Sequence, residues 1–476
     1  MAKILTNEGY LLKKSKFNKD IIRNTKKELT VCPYQPIQFN KKEGKYIVYS
    51  ENEEFISLPK FYGLKKFGEP DKNYEKKGIP MNINFKGKPK PNQVDILKQT
   101  IDHIDEHNGG LICAGCGQGK TFMALYIANH YKVKTLIIVH KTFLLNQWVD
   151  RIKEFTDAKV GIIQQNKVEV DGKDFVVGML QSIAKDKYES DIFADFGMVI
   201  FDEAHHAPSE YFSKALPIIS CKRSLALSAT PKRSDKMEKV LFWFLGDIAY
   251  KQPPNENKNV LVKVIDYTTK HKTFKEYKIP FTGDINRPKT LNKLVEIDNR
   301  NKFIIENLKE IMTEKNRKVL LLSDRIDHLK KLKEEIDLIG QYSCDFYIGG
   351  RKQKDLDKAS ECQILLGSYG MASEGLDIPT LNTLIMTTPR REVEQSIGRI
   401  TRKAHKIQPL VIDFTDNIPC FKKQGEYRQK LYKKLKYNVK VISVNETEVI
   451  SETDITNYLK NKIDYNENVD CDFIDD

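Results

Sequence analysis

A glycine-rich segment at residues 114–121, AGCGQGKT, has the residue types that can hold the phosphates of a nucleoside triphosphate. Three glycines let backbone N–H groups converge on phosphate oxygens that larger side chains would obstruct: Gly115, Gly117 and Gly119. We expect Lys120 to pair with the β- and γ-phosphates and Thr121 to bind Mg²⁺. An apolar run precedes the segment and a helical pattern follows it, so the phosphates should meet a helix N-terminus.

A second segment, FDEAHH at 201–206, ends an apolar run that is typical of a buried strand. Because parallel strands end at the same edge of a sheet, Asp202 and Glu203 should lie beside the phosphate loop. We expect Asp202 to hold Mg²⁺, and Glu203 to orient and deprotonate an attacking water. A DEAH tetrapeptide also occurs by chance. Its position at a strand end after the phosphate loop favours a site that hydrolyses ATP.

A third segment, QSIGRITR at 395–402, carries two arginines that could reach the same γ-phosphate. Gln395, Arg399 and Arg402 lie at i, i+4 and i+7, a spacing that predicts one face of a helix. Phosphoryl transfer spreads negative charge over the γ-phosphate oxygens, and a guanidinium from a second domain can neutralise it. We therefore predict that both arginines and Gln395 serve catalysis, against the alternative of an ordinary surface helix.

Two stretches of the chain, in which predicted strands alternate with predicted helices, could position these segments. A chain of 476 residues predicts more than one domain. From about residue 110 onward, apolar β-rich runs alternate with helical patterns, which is typical of α/β proteins with parallel sheets. The predicted parts are a small mixed N-terminal domain of unknown role at 1–80, an ATP-binding domain at 81–250, a second α/β domain at 251–445 and an acidic tail at 446–476.

The net charge of +14 favours a polyanionic partner, although a lysine-rich surface can also be merely solvated. The segment Phe421–Lys440 holds eight basic residues against one acidic residue, together with three tyrosines. This mixture is suited to phosphate contacts with some base stacking. We therefore treat nucleic-acid contact by this segment as a hypothesis.

The location of the protein is predicted from its cysteines and its hydropathy. The eight cysteines are scattered, as in reduced intracellular proteins. The N-terminus lacks the apolar region of a secretory signal, and no stretch approaches the ~20 apolar residues that span a bilayer. We expect an intracellular protein in a reducing compartment, with no membrane partner.

The motifs, taken in order, resemble those of superfamily 2 helicases and translocases of the DEAH-box type, over about residues 80–440. PKPNQ at 89–93 resembles the segment that recognises adenine, with Gln93 as the reader. The resemblance implies that Asp377 contacts ribose or phosphate, and that His205, Ser228 and Thr230 communicate the nucleotide state. It also implies a set of nucleic-acid contacts: Thr142, Gln181, Ser182 and Ser368.

Within the superfamily, the chain resembles the DNA helicases of large nucleocytoplasmic DNA viruses, of the poxvirus transcript-release type. The segments that carry this likeness are LPKFYGLKKFG at 58–68 and TTPRREVEQSIGRITRK at 387–403. The likeness implies 3′→5′ movement, a role in viral transcription with the transcription machinery as partner, and location in a cytoplasmic factory or virion.

The resemblance implies two tandem RecA-like domains with MgATP in a cleft between them and DNA as the favoured substrate. Three alternatives stay open: a translocase on duplex DNA without unwinding, an RNA helicase, and a nucleotide-gated clamp without turnover. The intact candidate water activator Glu203 argues against the clamp. A nuclease built on Asp266 and the Glu276–Lys278 segment is a weak alternative, because such a spacing arises easily in a lysine-rich chain.

Overall fold

The structure is a computed structural model of the chain. It describes residues 1–33, 44–115, 117–185, 188, 190–206, 212–229, 236–253, 259–374, 376, 378–403 and 405–455. The chain divides into two compact units, Met1–Gln252 and Pro253–Asp476. The division lies two residues beyond the boundary predicted at 250, and residues 1–80 belong to the first unit.

The N-terminal part of the first unit is a small mixed structure. Its strands are β1 (Lys3–Thr6), β2 (Gly9–Lys13), β3 (Thr30–Val31), β4 (Tyr46–Ile47), β5 (Ser50–Glu51), β6 (Phe55–Leu58) and β7 (Lys72–Asn73). Its helices are α1 (Lys19–Glu28) and α2 (Lys60–Phe67). The main sheet has the strand order β5-β6-β2-β1-β7, and β3 pairs with β4.

The rest of the first unit is an eight-stranded sheet of order β11-β10-β12-β9-β13-β14-β8-β15. Its strands are β8 (Gly109–Cys113), β9 (Thr135–Val139), β10 (Val160–Gln164), β11 (Lys167–Val168), β12 (Phe175–Met179), β13 (Met198–Phe201), β14 (Arg223–Ser228) and β15 (Ile248–Lys251). Every pairing is parallel except that of β10 with β11. The helices are α3 (Pro91–His107), α4 (Lys120–Tyr131), α5 (Thr142–Phe155), α6 (Leu180–Ile183), α7 (Ala215–Ile218) and α8 (Glu238–Leu245).

The N-terminal part packs directly on this domain, which explains why it is not a unit of its own. The Tyr62 ring of α2 lies edge-on against Trp243 of α8, with centroids 5.3 Å apart. The buried Lys60 ammonium donates to Glu75 Oε1 at 2.6 Å and to the Lys222 carbonyl at 2.7 Å. Removing the N-terminal residues would therefore expose apolar surface and a buried charge.

The second unit also contains an eight-stranded sheet, of order β18-β19-β17-β20-β21-β16-β22-β23. Its strands are β16 (Leu261–Thr268), β17 (Val319–Leu322), β18 (Cys344–Tyr347), β19 (Ile364–Gly367), β20 (Thr383–Met386), β21 (Leu410–Asp416), β22 (Asn438–Asn445) and β23 (Glu448–Asp454). The β22–β23 pairing is antiparallel and the others are parallel.

The helices of the second unit are α9 (Arg287–Leu294), α10 (Asp298–Met312), α11 (Ile326–Ile339), α12 (Gln353–Glu361), α13 (Tyr369–Glu374), α14 (Glu394–Ile400) and α15 (Pro419–Lys434). The prediction of two tandem α/β domains with parallel sheets is thus confirmed. Strand β23 lies beyond residue 445, where the acidic tail was predicted to begin, because it pairs with β22. Buried strands account for the continuous apolar runs of the sequence, since both faces of such sheets are covered.

Candidate active site

The phosphate loop lies between β8 and α4, as predicted. Gly117 and Gly119 have φ of 81° and 77°, a left-handed conformation that glycine adopts without steric cost. Lys120 opens α4, and its Nζ donates to the Ala114 carbonyl at 3.1 Å. Thr121 follows in the first helical turn, where it is half-buried. This end of α4 has the unpaired N–H groups that bind phosphate in other proteins.

Gln93 contacts the phosphate loop directly. Its Nε2 donates to the Gln118 carbonyl at 3.0 Å, and its Oε1 accepts from the Lys90 N–H at 2.9 Å. A Cβ at Gly119 would displace this amide group, and the left-handed φ of Gly119 independently favours glycine there. Gln93 therefore positions the loop, and its reading of adenine stays a prediction.

Gln252 holds the other end of the loop, a role that the sequence did not reveal. The Gly115 N–H donates to Gln252 Oε1 at 2.9 Å, and the Gln252 N–H donates to the Cys113 carbonyl at 2.8 Å. Parallel pairing of β15 with β8 brings these residues together across the sheet. No spacing rule links a glutamine to a loop 137 residues earlier; only the strand order could have found it.

Asp202 and Glu203 follow β13 at the sheet edge that carries the phosphate loop. Trp148 of α5 donates its indole N–H to Asp202 Oδ2 at 2.8 Å, a contact that the motifs did not predict. Burial and the neighbouring Glu203 raise the pKa of Asp202 to about 6, and the Trp148 hydrogen bond acts in the opposite direction. The carboxylate, which follows a strand, is thus oriented by a donor from helix α5.

Glu203 has the geometry of a residue held for chemistry. Its φ of 46° lies in the left-handed region, which is uncommon for residues other than glycine and costs free energy. Its Oε1 lies 4.0 Å from Lys120 Nζ. Its Oε2 is buried without a hydrogen-bond partner among the described residues. A carboxylate oxygen that accepts no hydrogen bond from the described residues and lies beside the phosphate loop fits a site that receives a water molecule.

The predicted coupling residues His205 and Ser228 lie together beside Glu203. His205 Nδ1 is 3.1 Å from Ser228 Oγ and 3.4 Å from Glu203 Oε2. The Ser228 carbonyl also accepts from the N–H of Ala114, so this chain of contacts ends at the phosphate loop. Thr230, the third predicted coupling residue, lies outside the described residues.

The residues fit a Mg²⁺ ion bound together with nucleotide phosphates. Thr121 and Asp202 offer hydroxyl and carboxylate oxygens, and Mg²⁺ is commonly held by one or two such groups plus phosphate. In the described ranges, no group of three or more His, Cys, Asp or Glu residues is placed to hold a metal ion.

Three predicted nucleic-acid contacts of the first unit lie at one edge of its sheet. Thr142 opens α5 just after β9, and Gln181 and Ser182 lie in α6 just after β12. Gln181 donates to the His140 carbonyl, and Ser182 Oγ accepts from the Gln165 N–H at 2.9 Å. The fourth, Ser368, is half-buried after β19 in the second unit.

The predicted helical face at 395–402 is correct for two of its three residues. Gln395 and Arg399 lie in α14, but this helix ends at Ile400 and Arg402 follows it. Arg399 is buried, and its Nε and Nη1 donate to the Ala372 and Leu376 carbonyls at 2.6 and 2.9 Å. Asp377, next to this segment, lies outside the described residues.

The basic segment Phe421–Lys440 is only partly available for nucleic acid. Arg428 is buried and forms a bidentate pair with Asp413, with N···O distances of 2.7 and 2.8 Å. Tyr432 and Tyr437 are buried as well. The hypothesis is therefore wrong for these three residues, which stabilise the fold, and stays a prediction for the lysines on the surface of α15.

Two expectations from the sequence concern membrane-spanning segments and the state of the cysteines. In the described parts of the chain, no helix is both long enough and apolar enough to cross a bilayer. The described cysteines are free thiols: Cys32, Cys113, Cys221, Cys344, Cys362 and Cys420.

The chain matches known helicases over most of its length. Residues 86–233 match the family "Type III restriction enzyme, res subunit", and residues 300–404 match "Helicase conserved C-terminal domain". The "Putative ATP-dependent RNA helicase" of Acanthamoeba polyphaga mimivirus is 39% identical over 461 residues, which cover 93% of this chain and 87% of that protein. The "Putative helicase" of Invertebrate iridescent virus 6 is 30% identical over 382 residues, which cover 74% of this chain and 83% of that protein.

A solved structure shares the fold. The DNA-bound type ISP restriction-modification enzyme LlaBIII superposes with a TM-score of 0.53 and 16% identity, over 80% of this chain and 32% of that one. At this identity the similarity concerns the fold alone. The family matches and the sequence relatives show that the chain belongs to the superfamily 2 helicases, most like those of large DNA viruses, and is an ATP-hydrolysing enzyme.

Proposed function

We propose that the protein is an ATP-dependent DNA helicase or translocase of a large DNA virus, working in viral transcription inside the infected cell. The observation that carries the enzymatic part is the 4.0 Å approach of Glu203 to Lys120. It places the buried carboxylate of Glu203 next to the ammonium group that would bind the γ-phosphate.

Each residue of the site has a definable task in this proposal. The loop N–H groups and Lys120 bind the phosphates, while Gln93 and Gln252 hold the two ends of the loop. Thr121 and Asp202 would hold Mg²⁺, which would offset phosphate charge when bound. Glu203 orients a water molecule and accepts its proton.

The arginines complete this proposal from the second RecA-like domain. Arg402 would neutralise charge that develops on the γ-phosphate, as arginine fingers do. Arg399 would do the same only after giving up its hydrogen bonds to the Ala372 and Leu376 carbonyls. ATP binding and hydrolysis would then alternate the grip of the two domains on nucleic acid and bias stepping. Movement in the 3′→5′ direction and release of nascent transcripts belong to the same proposal.

The identity of the nucleic acid is the finer part of the proposal. The mimivirus relative is named as an RNA helicase, whereas the LlaBIII structure was solved with DNA. The net charge of +14 supports either polyanion. We favour DNA, with RNA unwinding as the second candidate because of the relative's name.

The proposal is tested by the steady-state ATPase rate without nucleic acid and with single-stranded DNA, duplex DNA or RNA, with Lys120→Ala as the blank. We expect the strongest stimulation with DNA, followed by strand displacement in the 3′→5′ direction. Stronger stimulation by RNA would move the RNA helicase ahead, and stimulation by duplex DNA without displacement would identify a translocase. No stimulation by any of them would overturn the proposal.

Glu203→Gln provides a sharper test of the site itself. The amide cannot accept the water's proton, so turnover should fall by at least the 10²–10⁴-fold typical of a lost general base. ATP binding should persist, and nucleic acid should be held at least as tightly as by the wild type. Hydrolysis at the wild-type rate by this variant would reject the assignment.

A further inference from the structure

The segment between β16 and α9 in the second unit contains a short hairpin at residues 278–285. Lys278 and Ile285 form an antiparallel bridge, and the Ile279 N–H donates to the Asp284 carbonyl at 2.7 Å. At the base, the Asn286 N–H donates to the Tyr277 carbonyl at 2.7 Å, and the Tyr277 N–H donates to Thr290 Oγ1 at 3.1 Å. The hairpin is thereby fixed to α9.

Phe281 lies at the tip of this hairpin with its ring fully exposed to solvent. Among the described residues it is the one exposed phenylalanine, and no described tryptophan is exposed. Its φ of 77° is left-handed, a true outlier for a bulky side chain. Such a conformation is strained, and the exposed ring gains nothing from burial. The strained backbone and the exposed ring therefore coincide at one residue.

The base of the hairpin is basic. Lys275 and Lys289 lie 5.9 and 5.3 Å from the centre of the Tyr277 ring. Lys278 and Arg287 add two further cations, against the carboxylates of Glu276 and Asp284. An exposed aromatic ring above an excess of positive charge is the arrangement with which proteins bind unpaired nucleic-acid bases and their backbone.

A cavity of about 340 Å³ is lined in part by Arg287, the first residue of α9, which follows the hairpin in the chain by two residues. Leu291 and Phe421 give it apolar walls, and four guanidinium groups line it: Arg287, Arg325, Arg390 and Arg391. Only two carboxylates share this lining, those of Asp324 and Glu392. The excess of guanidinium groups makes the cavity suited to phosphate oxygens.

Two of the four guanidinium groups of this cavity have uncharged side-chain partners, and a third forms an ion pair. Arg325 Nε donates to Asn292 Oδ1 at 2.6 Å, and Arg391 lies over the Tyr427 ring at 4.4 Å. Arg390 Nη1 is 3.6 Å from Asp324 Oδ1. Gln424, also in the lining, has a buried Oε1 without a hydrogen-bond partner among the described residues. The cavity thus has unused capacity for polar contacts.

We propose that the hairpin and this cavity form one site for an unpaired nucleotide of the nucleic-acid substrate. Phe281 stacks on the base, and the arginines hold neighbouring backbone phosphates. A ring on this anchored hairpin that occupies the place of a stacked neighbour would keep a separated base from re-pairing. This inference rests on the proposed function, because it requires that the chain binds nucleic acid. The charge of the surroundings favours nucleic acid over a protein ligand.

The test uses single strands that contain 2-aminopurine, whose fluorescence falls when the base stacks. The full chain should quench this fluorescence, and Phe281→Ala should lose the quenching and bind roughly 5- to 150-fold more weakly. Phe281→Trp should restore quenching because it keeps a stacking surface. Leu338→Ala is the matched control, since this residue is 82% exposed on α11 of the same unit.

Two further variants distinguish the contribution of the Phe281 ring from those of its strained backbone and of the arginine charges. Phe281→Gly removes the left-handed strain, so it should lose quenching without lowering the melting temperature. Arg391→Ala should reduce the slope of log binding constant against log salt by about 0.7, the value for one phosphate of a single strand.

The outcomes distinguish failure of this inference from failure of the proposed function. If the wild type binds strands while Phe281→Ala quenches and binds equally well, the stacking site is rejected and the proposed function stands. The same result would favour a protein ligand for the hairpin. If the wild type binds no strand at all, the proposed function fails first.

Discussion

Gln252 accepts a hydrogen bond from the backbone N–H of Gly115 at 2.9 Å, so the last residue of the first unit holds the first glycine of the phosphate loop. The Gln252 N–H is itself fixed to the Cys113 carbonyl. The last residue of the first unit is therefore hydrogen-bonded to both the candidate phosphate loop and the strand before it.

Gln252→Met should raise the KM for ATP. Methionine keeps the length of the side chain but removes the acceptor, and one such hydrogen bond contributes about 0.5–1.5 kcal/mol, a factor of about 2–12. The rate at saturating ATP should change less than KM. Initial-rate measurements over a range of ATP concentrations check this prediction. Gln353→Met, at an exposed position, is the control. An unchanged KM for Gln252→Met would contradict its role in holding the phosphate loop.

Trp148→Phe should weaken the response to Mg²⁺. Loss of the indole N–H removes the hydrogen bond that orients Asp202 and lowers its pKa, so its carboxylate becomes a poorer ligand. We expect the half-saturating Mg²⁺ concentration of the ATPase to rise about 10- to 100-fold, as for other residues that orient metal ligands. Trp243→Phe is the matched control because Trp243 packs on Tyr62 instead; equal effects of both would contradict a specific role.

His328→Gln should flatten the pH dependence of stability below pH 7. His328 is buried between Ser323 Oγ and Asn301 Oδ1, each 3.0 Å from a ring nitrogen. Burial, followed by the Arg300 charge, lowers its pKa to about 3. The unfolded chain, with a histidine pKa of about 6.5, binds the proton first. The free energy of unfolding should thus fall as pH drops from about 6.5 toward 3, by at most about 1.4 kcal/mol per unit for this residue.

Denaturant unfolding of the wild type and His328→Gln at pH 7.5 and pH 5 measures that difference. Exposed His271→Gln serves as the control, which should keep the wild-type dependence. Identical pH dependence of wild type and His328→Gln would show that His328 is not the group responsible.

Arg428→Ala and a triple change of Lys430, Lys433 and Lys434 to alanine should have opposite effects. Arg428→Ala leaves the buried Asp413 carboxylate without its charged partner, with only the Tyr432 hydroxyl among the described residues still donating to it, and should cost about 3–5 kcal/mol of stability. The triple variant should keep its stability and flatten the salt dependence of nucleic-acid binding. Denaturant unfolding and binding titrations over a salt series check both. An unchanged salt slope would reject the lysine hypothesis, and an Arg428→Ala protein of wild-type stability would reject the structural role.

The sequence by itself determined the local chemistry and the class of fold. Gly117, Gly119 and Lys120 could be assigned because a phosphate loop needs left-handed glycines and a helix start at fixed spacing. Asp202 and Glu203 could be placed at a strand end because continuous apolar runs identify buried parallel strands. Both kinds of pattern are local, and each is fixed by backbone geometry within a few residues.

Only the tertiary structure decided which distant side chains meet these local elements. The contacts of Trp148 with Asp202 and of Gln252 with Gly115 depend on strand order and helix placement, which no short spacing encodes. The same holds for Arg428, whose charge suggests nucleic-acid contact but whose partner Asp413 lies on β21 inside the second unit. Phe281 is an ordinary residue in the sequence, and its exposure and left-handed backbone became visible only once the hairpin was folded. Burial and pairing are properties of the whole packed sheet, so they could not be read from the segments alone.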